Sequence, residues 1–241
     1  MSKVLITGAT SGIGESLALL YAQQHWDVVA CGRNQQKLDQ LSQQYSKLKA
    51  LRFDVTQCAE VKQAAMQIEP DLDLLILNAG DCEYIDNPME FDSALFERIM
   101  KVNLLSVGYC LEHFLKRVKK GGRIALMSSS ATYLPLPRAS AYGASKSAIN
   151  YLASTLRIEL CKFDIGVSLI CPGFVKTPLT DKNTFAMPMC VEAEHAARVI
   201  YFDLESGENE IHFPQMFTLF MKLLSFLPMG VWRKIASSLK A

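Results

Sequence analysis

The chain has 241 residues, half of them apolar, with 25 basic and 24 acidic side chains and a formal net charge of +1. A chain of this length buries roughly 70 to 75% of its unfolded surface, enough for a single domain with one large core over residues 1–241. Near-neutral charge without a basic run excludes the clustered Lys and Arg of a nucleic-acid binder, so small molecules are the expected partners. The seven cysteines, an odd number without a C-x-x-C pair, fit reduced, buried thiols in a cytoplasmic protein, and no metal site is expected. A secretory leader is not expected either, because the first apolar strand begins within a few residues of Met1.

Strand-length apolar runs fall at 3–7, 27–31, 48–53, 72–77, 123–127, 167–171 and 210–213, with helical patterns in the gaps. Such alternation indicates βαβ units, and near-continuous apolar strands indicate a sheet covered on both faces. The expected fold is α/β: a Rossmann-type doubly wound parallel sheet of about seven strands flanked by helices on both faces.

Ligands bind such sheets beyond the carboxyl ends of the strands, and that is where the unusual residues fall. After the first strand comes Thr7-Gly8-Ala9-Thr10-Ser11-Gly12-Ile13-Gly14, leading into a helix over 15–24. Glycines at this G-x-x-x-G-x-G spacing keep side chains away where backbone N–H groups approach a pyrophosphate. Gly8 allows the tight turn, Gly12 close approach, and Gly14 packing of helix on sheet. After the second strand the chain reads Cys31-Gly32-Arg33-Asn34. It offers no carboxylate to ribose hydroxyls, whereas the Arg33 guanidinium suits a 2'-phosphate, which favours NADP(H) over NAD(H). Asp54-Val55, Asn78-Ala79-Gly80, the serines 128–130 and Pro172-Gly173 follow later strands in the same way.

Tyr142 and Lys146 stand one helical turn apart on one face of a helix. A cation beside a phenol of pKa about 10 favours the phenolate and draws the group toward working pH. The tyrosine then donates a proton to a carbonyl oxygen as hydride reaches carbon, or acts as base in reverse. Ser129, thirteen residues upstream, is the expected hydroxyl partner, with Ser128 and Ser130 as competitors. Tyr45 and Lys49 repeat the spacing, but Gly32 stands where the serine belongs, and that copy is taken as chance. A nucleotide-sensing protein without turnover is the competing class. Such a sensor has no use for Tyr142 and Lys146.

Residues 178–190 are expected to form a mobile substrate lid. Leu179, Phe185, Met187 and Met189, facing residues 133–136, would make an apolar wall suited to a fatty-acyl or ring ketone. The tail, 214–241, is apolar with Lys222, Arg233, Lys234 and Lys240 and no acid. It suits a cover over the substrate mouth, a subunit contact, or peripheral contact with a membrane, its apolar run being too short to span one.

Together these residues resemble the short-chain dehydrogenase/reductase family, in its compact subgroup, from Lys3 to about Thr177. The resemblance implies an NAD(P)-dependent oxidoreductase acting on a carbonyl/alcohol pair, as a homodimer or homotetramer. It implies a catalytic tetrad of Asn103, Ser129, Tyr142 and Lys146, with Asn103 holding a backbone kink and a water that feeds protons through Lys146. Lys146 and Tyr142 would also meet the cofactor. Thr7, Gly8, Ser11, Gly12, Ile13 and Gly14 would hold its pyrophosphate, Asp54 and Val55 its adenine, and Asn78, Ala79 and Gly80 its adenosine side. Pro172, Gly173, Val175 and Thr177 would contact the nicotinamide. The chain departs from the family at Thr132, where members often carry glycine, and at Ser11, where NADP users often carry a basic residue.

Overall fold

Strands whose alternate side chains are all apolar must be covered from both sides, and that requirement organises the computed structural model, whose described residues are 2–238. The chain runs β1 (Lys3–Thr7), α1 (Gly12–Gln23), β2 (Asp27–Gly32), α2 (Gln35–Gln44), β3 (Leu48–Arg52), α3 (Cys58–Ala65) and β4 (Leu72–Leu77). It continues through α4 (Ser93–Met100), a π-helical turn (Lys101–Leu105), α5 (Ser106–Phe114), β5 (Val118–Met127), α6 (Ser140–Leu160) and β6 (Gly166–Pro172). Then follow β7 (Val175–Lys176), β8 (Val191–Glu192), α7 (Ala193–Glu205), β9 (Glu210–Phe213), α8 (Gln215–Leu224) and α9 (Met229–Ser238).

The main sheet is parallel throughout, with strand order β3-β2-β1-β4-β5-β6-β9. Because side chains alternate, each strand feeds two cores. Val4, Ile6, Val28, Ala30 and Ile76 pack with α1, α2 and α7. Leu5, Val29, Leu75, Leu77 and Ile124 pack with α3, α5 and α6. Each fully buried Leu or Ile contributes roughly 1.5 to 3 kcal/mol. Sequential crossovers run outward from β1 in both directions, so the connections part between β1 and β4 and leave a crevice at their carboxyl ends.

Three elements differ from expectation. Helix α1 starts at Gly12 rather than residue 15, because Gly12 and Gly14 form its open first turn. Strand β5 begins at Val118, five residues early: its pairing with β4 shifts register between Leu72 and Leu74, and Gly121 in the left-handed region accommodates the irregularity. The short parallel pair β7–β8, with Val175 opposite Val191, closes the base of segment 178–190. The end of the tail, 239–241 with Lys240, lies outside the described residues. No helix among the described residues is long and apolar enough to cross a membrane.

Candidate active site

The glycine turn is built by exclusion. Gly8 and Gly12 both have positive φ. A Cβ on Gly8 would lie 2.9 Å from Ala79 Cα, and one on Gly14 2.2 Å from the Gly8 carbonyl oxygen. Asn78 ties the turn to β4, its Nδ2 donating to the carbonyls of Thr7 and Gly8 at 3.0 and 3.3 Å. Thr7 Oγ1 in turn accepts from the N–H groups of Asn78 and Ala79. Thr7 and Gly14 thus shape the turn from behind. Gly8, Ser11, Gly12 and Ile13 line a crevice of about 560 Å3.

The same crevice is lined by Arg33, Asp54, Val55, Asn78, Ala79, Gly80, Ser129, Tyr142, Lys146, Pro172, Gly173, Val175 and Thr177. Thr10 and Asn34, from the two turns singled out in the sequence, also line it, as does Phe53, which no motif marks. Arg33 stands at the rim, its side chain 74% exposed, with Nη1 3.7 Å from Asp54 Oδ2. Although no acid follows β2, the fold brings this one over from the end of β3. Burial alone would raise the Asp54 pKa. Hydrogen bonds from the Thr56 N–H and hydroxyl, with the Arg33 charge, outweigh it and hold the carboxyl below its ordinary value.

A second, apolar cavity of about 760 Å3 adjoins the crevice. The two share Ser129, Tyr142, Gly173, Leu179 and Thr180. Of the three serines only Ser129 faces both: Ser128 is on the crevice side, and Ser130 on the apolar side. Ser129 Oγ accepts from the Ala131 N–H at 3.1 Å and lies near enough to the Tyr142 phenol to lower its pKa. Thr132 has a definite task here. Its hydroxyl donates to the Ser129 carbonyl at 2.7 Å and accepts from Asn150 Nδ2 at 2.9 Å, while Asn150 Oδ1 accepts a short bond from Ser128 Oγ. Helix α6 therefore grips the serine loop from Asn150, two turns beyond Tyr142.

Asn103 is fully buried inside the π-helical turn. Its Oδ1 accepts from the Asp81 N–H at 2.8 Å, and its Nδ2 donates to the Asp81 carbonyl and to Ser145 Oγ, both at 2.9 Å. It lies behind the crevice, not on its wall, and fastens the backbone after Gly80 to α6. Lys146 Nζ donates to the Met127 carbonyl at 2.9 Å and lies 5.9 Å from the centre of the Tyr142 ring.

The electrostatics differ from the expected pairing. Burial pushes the Tyr142 phenol above its ordinary value, the Cys82 and Cys171 thiols add to this, and the nearby Ser129 hydroxyl opposes it. Burial also pulls the Lys146 ammonium down to about 8. Desolvation outweighs the cation that was expected to draw the phenol toward working pH. A stability test follows. Unfolding returns Lys146 to about 10.4, so between about 8 and that value the unfolded chain binds more protons and this group's contribution to stability rises with pH. Lys146→Met avoids the buried charge, so it gains most over wild type near neutral pH. Melting curves without added nucleotide should show that advantage shrinking by about 3 °C or more toward about pH 10.5. A constant difference refutes the assignment.

Segment 178–190 and the tail form the wall of the apolar cavity. Leu179, Asn183, Phe185, Ala186 and Pro188 line it. Met187 and Met189 do not: Met187 Sδ accepts from Asn183 Nδ2 at 3.3 Å, and Met189 is exposed. Opposite, Leu136 lines the cavity, while Tyr133 and Leu134 turn toward the tail. Phe217, Phe220, Met221 and Leu224 of α8 and Trp232 and Ile235 of α9 complete the wall. Trp232 Nε1 donates to the Pro135 carbonyl at 2.8 Å, which pins α9 over the opening. Of the three uses the sequence allowed for the tail, a cover over the cavity is the one this packing displays.

Comparison with known proteins agrees with this architecture. The family model described as short chain dehydrogenase matches residues 2–187. An 11-beta-hydroxysteroid dehydrogenase A of Sesamum indicum is 34% identical over 186 residues, 73% of this chain but only 53% of the relative, so the match spans about half that protein's length. A short chain dehydrogenase/reductase from Burkholderia phymatum solved with NAD superposes with a TM-score of 0.82 at 22% identity, covering 92% of each chain. An alcohol dehydrogenase from Thermococcus sibiricus solved with 5-hydroxy-NADP gives 0.81 at 23% identity, over 88% of this chain and 96% of that one. At those identities the two structures speak for the fold. With most of its length matched by the family model, and the glycine turn and Tyr142–Lys146 pair on one crevice, the chain belongs to the short-chain dehydrogenase/reductase family.

Proposed function

We propose that this protein is an NADP(H)-dependent oxidoreductase that interconverts a carbonyl and an alcohol on a largely apolar body, such as a ring or fatty-acyl ketone. The observation that carries the reading is the seam between the two cavities, where Ser129 and Tyr142 face both at once. A dinucleotide fits the residues present. The turn around Gly8, Gly12 and Gly14 leaves no room for a Cβ where its backbone packs closest, and the crevice extends from Arg33 to Tyr142. In this reading Ser11, Gly12 and Ile13 hold the pyrophosphate, Asp54 and Val55 the adenine, and Asn78, Ala79 and Gly80 the adenosine side. Pro172, Gly173, Val175 and Thr177 hold the nicotinamide, which supplies or accepts hydride when bound.

The residues of the chain do the rest. The Tyr142 phenol gives its proton to the substrate oxygen, and Ser129 Oγ–H donates a second hydrogen bond to that atom. Lys146 stabilises the phenolate left behind. Asn103 keeps the floor in register through Asp81 and Ser145. Segment 178–190 acts as the lid over one domain formed by the whole chain. Exposed Leu105, Tyr151 and Ile158 on neighbouring helical faces favour a homodimer or homotetramer, and seven free cysteines, of which Cys161 and Cys190 are exposed rather than buried as expected, favour a reducing, cytoplasmic setting.

The two structural relatives hold different nicotinamide nucleotides, so the preference for NADP(H) rests on Arg33. Its contact with Asp54 is long and exposed, worth little by itself, and leaves the guanidinium able to turn to a phosphate. Arg33→Ala should lower kcat/KM with NADPH about tenfold or more while leaving NADH within about threefold. Steady-state rates with both nucleotides over ring, long-chain and small polar ketones test this. Equal losses with the two nucleotides would remove the NADP(H) preference, and turnover of small polar ketones alone would remove the apolar substrate.

A further inference from the structure

The tail helices carry a second apolar face that no part of the described chain covers. On α8, Phe217, Met221 and Leu224 turn inward to the apolar cavity. Met216, Leu219 and Leu223, spaced i, i+3 and i+7, form a stripe on the other side, and Phe220, which also lines the cavity, stands at its border. Leu223 is 66% exposed, and Phe226, just past the helix, is 85% exposed. Met229 and Val231 extend the patch onto α9. A helix that is apolar all round needs a cover on both faces, and a contiguous exposed patch of this kind marks an interaction site.

Charge says what kind of cover fits. No acidic residue occurs after Glu210, whereas Arg233 and Lys234 on α9 are exposed and form no ion pair among the described residues. Lys222 is already neutralised by Glu210 at 2.7 Å. We propose that this face docks on the surface of an anionic lipid bilayer, the apolar stripe entering the headgroup boundary while Arg233 and Lys234 meet lipid phosphates. A two-fold contact between copies would set the same basic residues near one another with no acid on either helix to offset them. Phe220 and Ile235 both line the apolar cavity and stand partly in solvent, so docking places the cavity's outer wall at the lipid surface. The docking does not depend on the proposed reaction.

The test is co-sedimentation of the full chain with phosphatidylcholine vesicles containing about 30% phosphatidylglycerol, or none. Wild type is expected to pellet with the anionic vesicles, and to be released at about 0.5 M NaCl. The double variant Leu223→Glu/Phe226→Glu, whose sites lie outside the cavity lining, should partition more than about tenfold less with its melting temperature retained. Arg233→Glu/Lys234→Glu alters only exposed charges and should lose the preference for anionic vesicles. Wild type remaining in the supernatant, or the Leu223/Phe226 variant pelleting like wild type, overturns the proposal. So does light scattering in which that variant turns a wild-type oligomer into a monomer, because a second copy then covers the face.

Discussion

Tyr142→Phe is expected to lower kcat by about a thousandfold, near 4 kcal/mol of barrier, while nucleotide binding stays within about threefold. The substitution removes one oxygen. The ring keeps its place between the crevice and the apolar cavity, and Ser129 Oγ retains its bond from the Ala131 N–H. What disappears is the only phenol on the seam among the described residues, and with it the proposed proton donor. Because burial already holds that phenol above its ordinary pKa, it is fully protonated across the neutral range, suited to giving a proton in the reducing direction. Single-turnover rates beside a fluorescence titration of nucleotide separate chemistry from binding. If the variant keeps more than about a tenth of the wild-type rate, the proton comes from elsewhere. A nucleotide sensor would be indifferent to the change.

Gly14→Ala should weaken nucleotide binding about a hundredfold and destabilise the fold by about 1 to 3 kcal/mol. The added methyl falls 2.2 Å from the Gly8 oxygen and 2.5 Å from Asn78 Nδ2. Neither neighbour can yield cheaply. The first is backbone, and the second already donates to the Thr7 and Gly8 carbonyls. Relief requires α1 to lift from β1 or the turn to open, and either displaces the N–H groups that face the crevice. Gly108→Ala on α5 is the matched control: beyond the adjoining residues and backbone of its own helix, no heavy atom of the described residues lies within 4 Å of its added Cβ, and it should gain up to about 1 kcal/mol from helix propensity. Thermal melts and nucleotide titrations on both variants distinguish a local clash from a general intolerance of glycine replacement. Unchanged affinity in Gly14→Ala would show that the turn does not hold the nucleotide.

The sheet was legible because its strands are buried on both faces, which writes an unbroken apolar run into β1, β2 and β4. The start of β5 was hidden, since Lys119 to Gly122 bear no such mark and extend the strand only through a shifted register. Strands β7 and β8 have two residues each, too few for any pattern. At the site, helical spacing sets Tyr142 and Lys146 on one crevice, and it was the missing upstream serine, not the spacing, that set aside the Tyr45 copy, which sits at the end of α2 with Lys49 on β3. The grip of Asn150 on Thr132 and Ser128 joins residues 18 and 22 apart, beyond any local rule. The balance between Lys146 charge and Tyr142 burial depends on how much protein surrounds the pair, which no motif encodes. Likewise the apolar content of the tail was plain, but which side of α8 turns inward emerged only with β9 and residues 133–136 in place.

The pairing of Val175 with Val191 makes segment 178–190 a closed loop rather than a tether. Its ends cannot drift apart without breaking the ladder, so most of the entropy of bringing them together is spent once, during folding. The opening proposed for this segment would then start and finish at the same two anchor points, with no search needed to reclose.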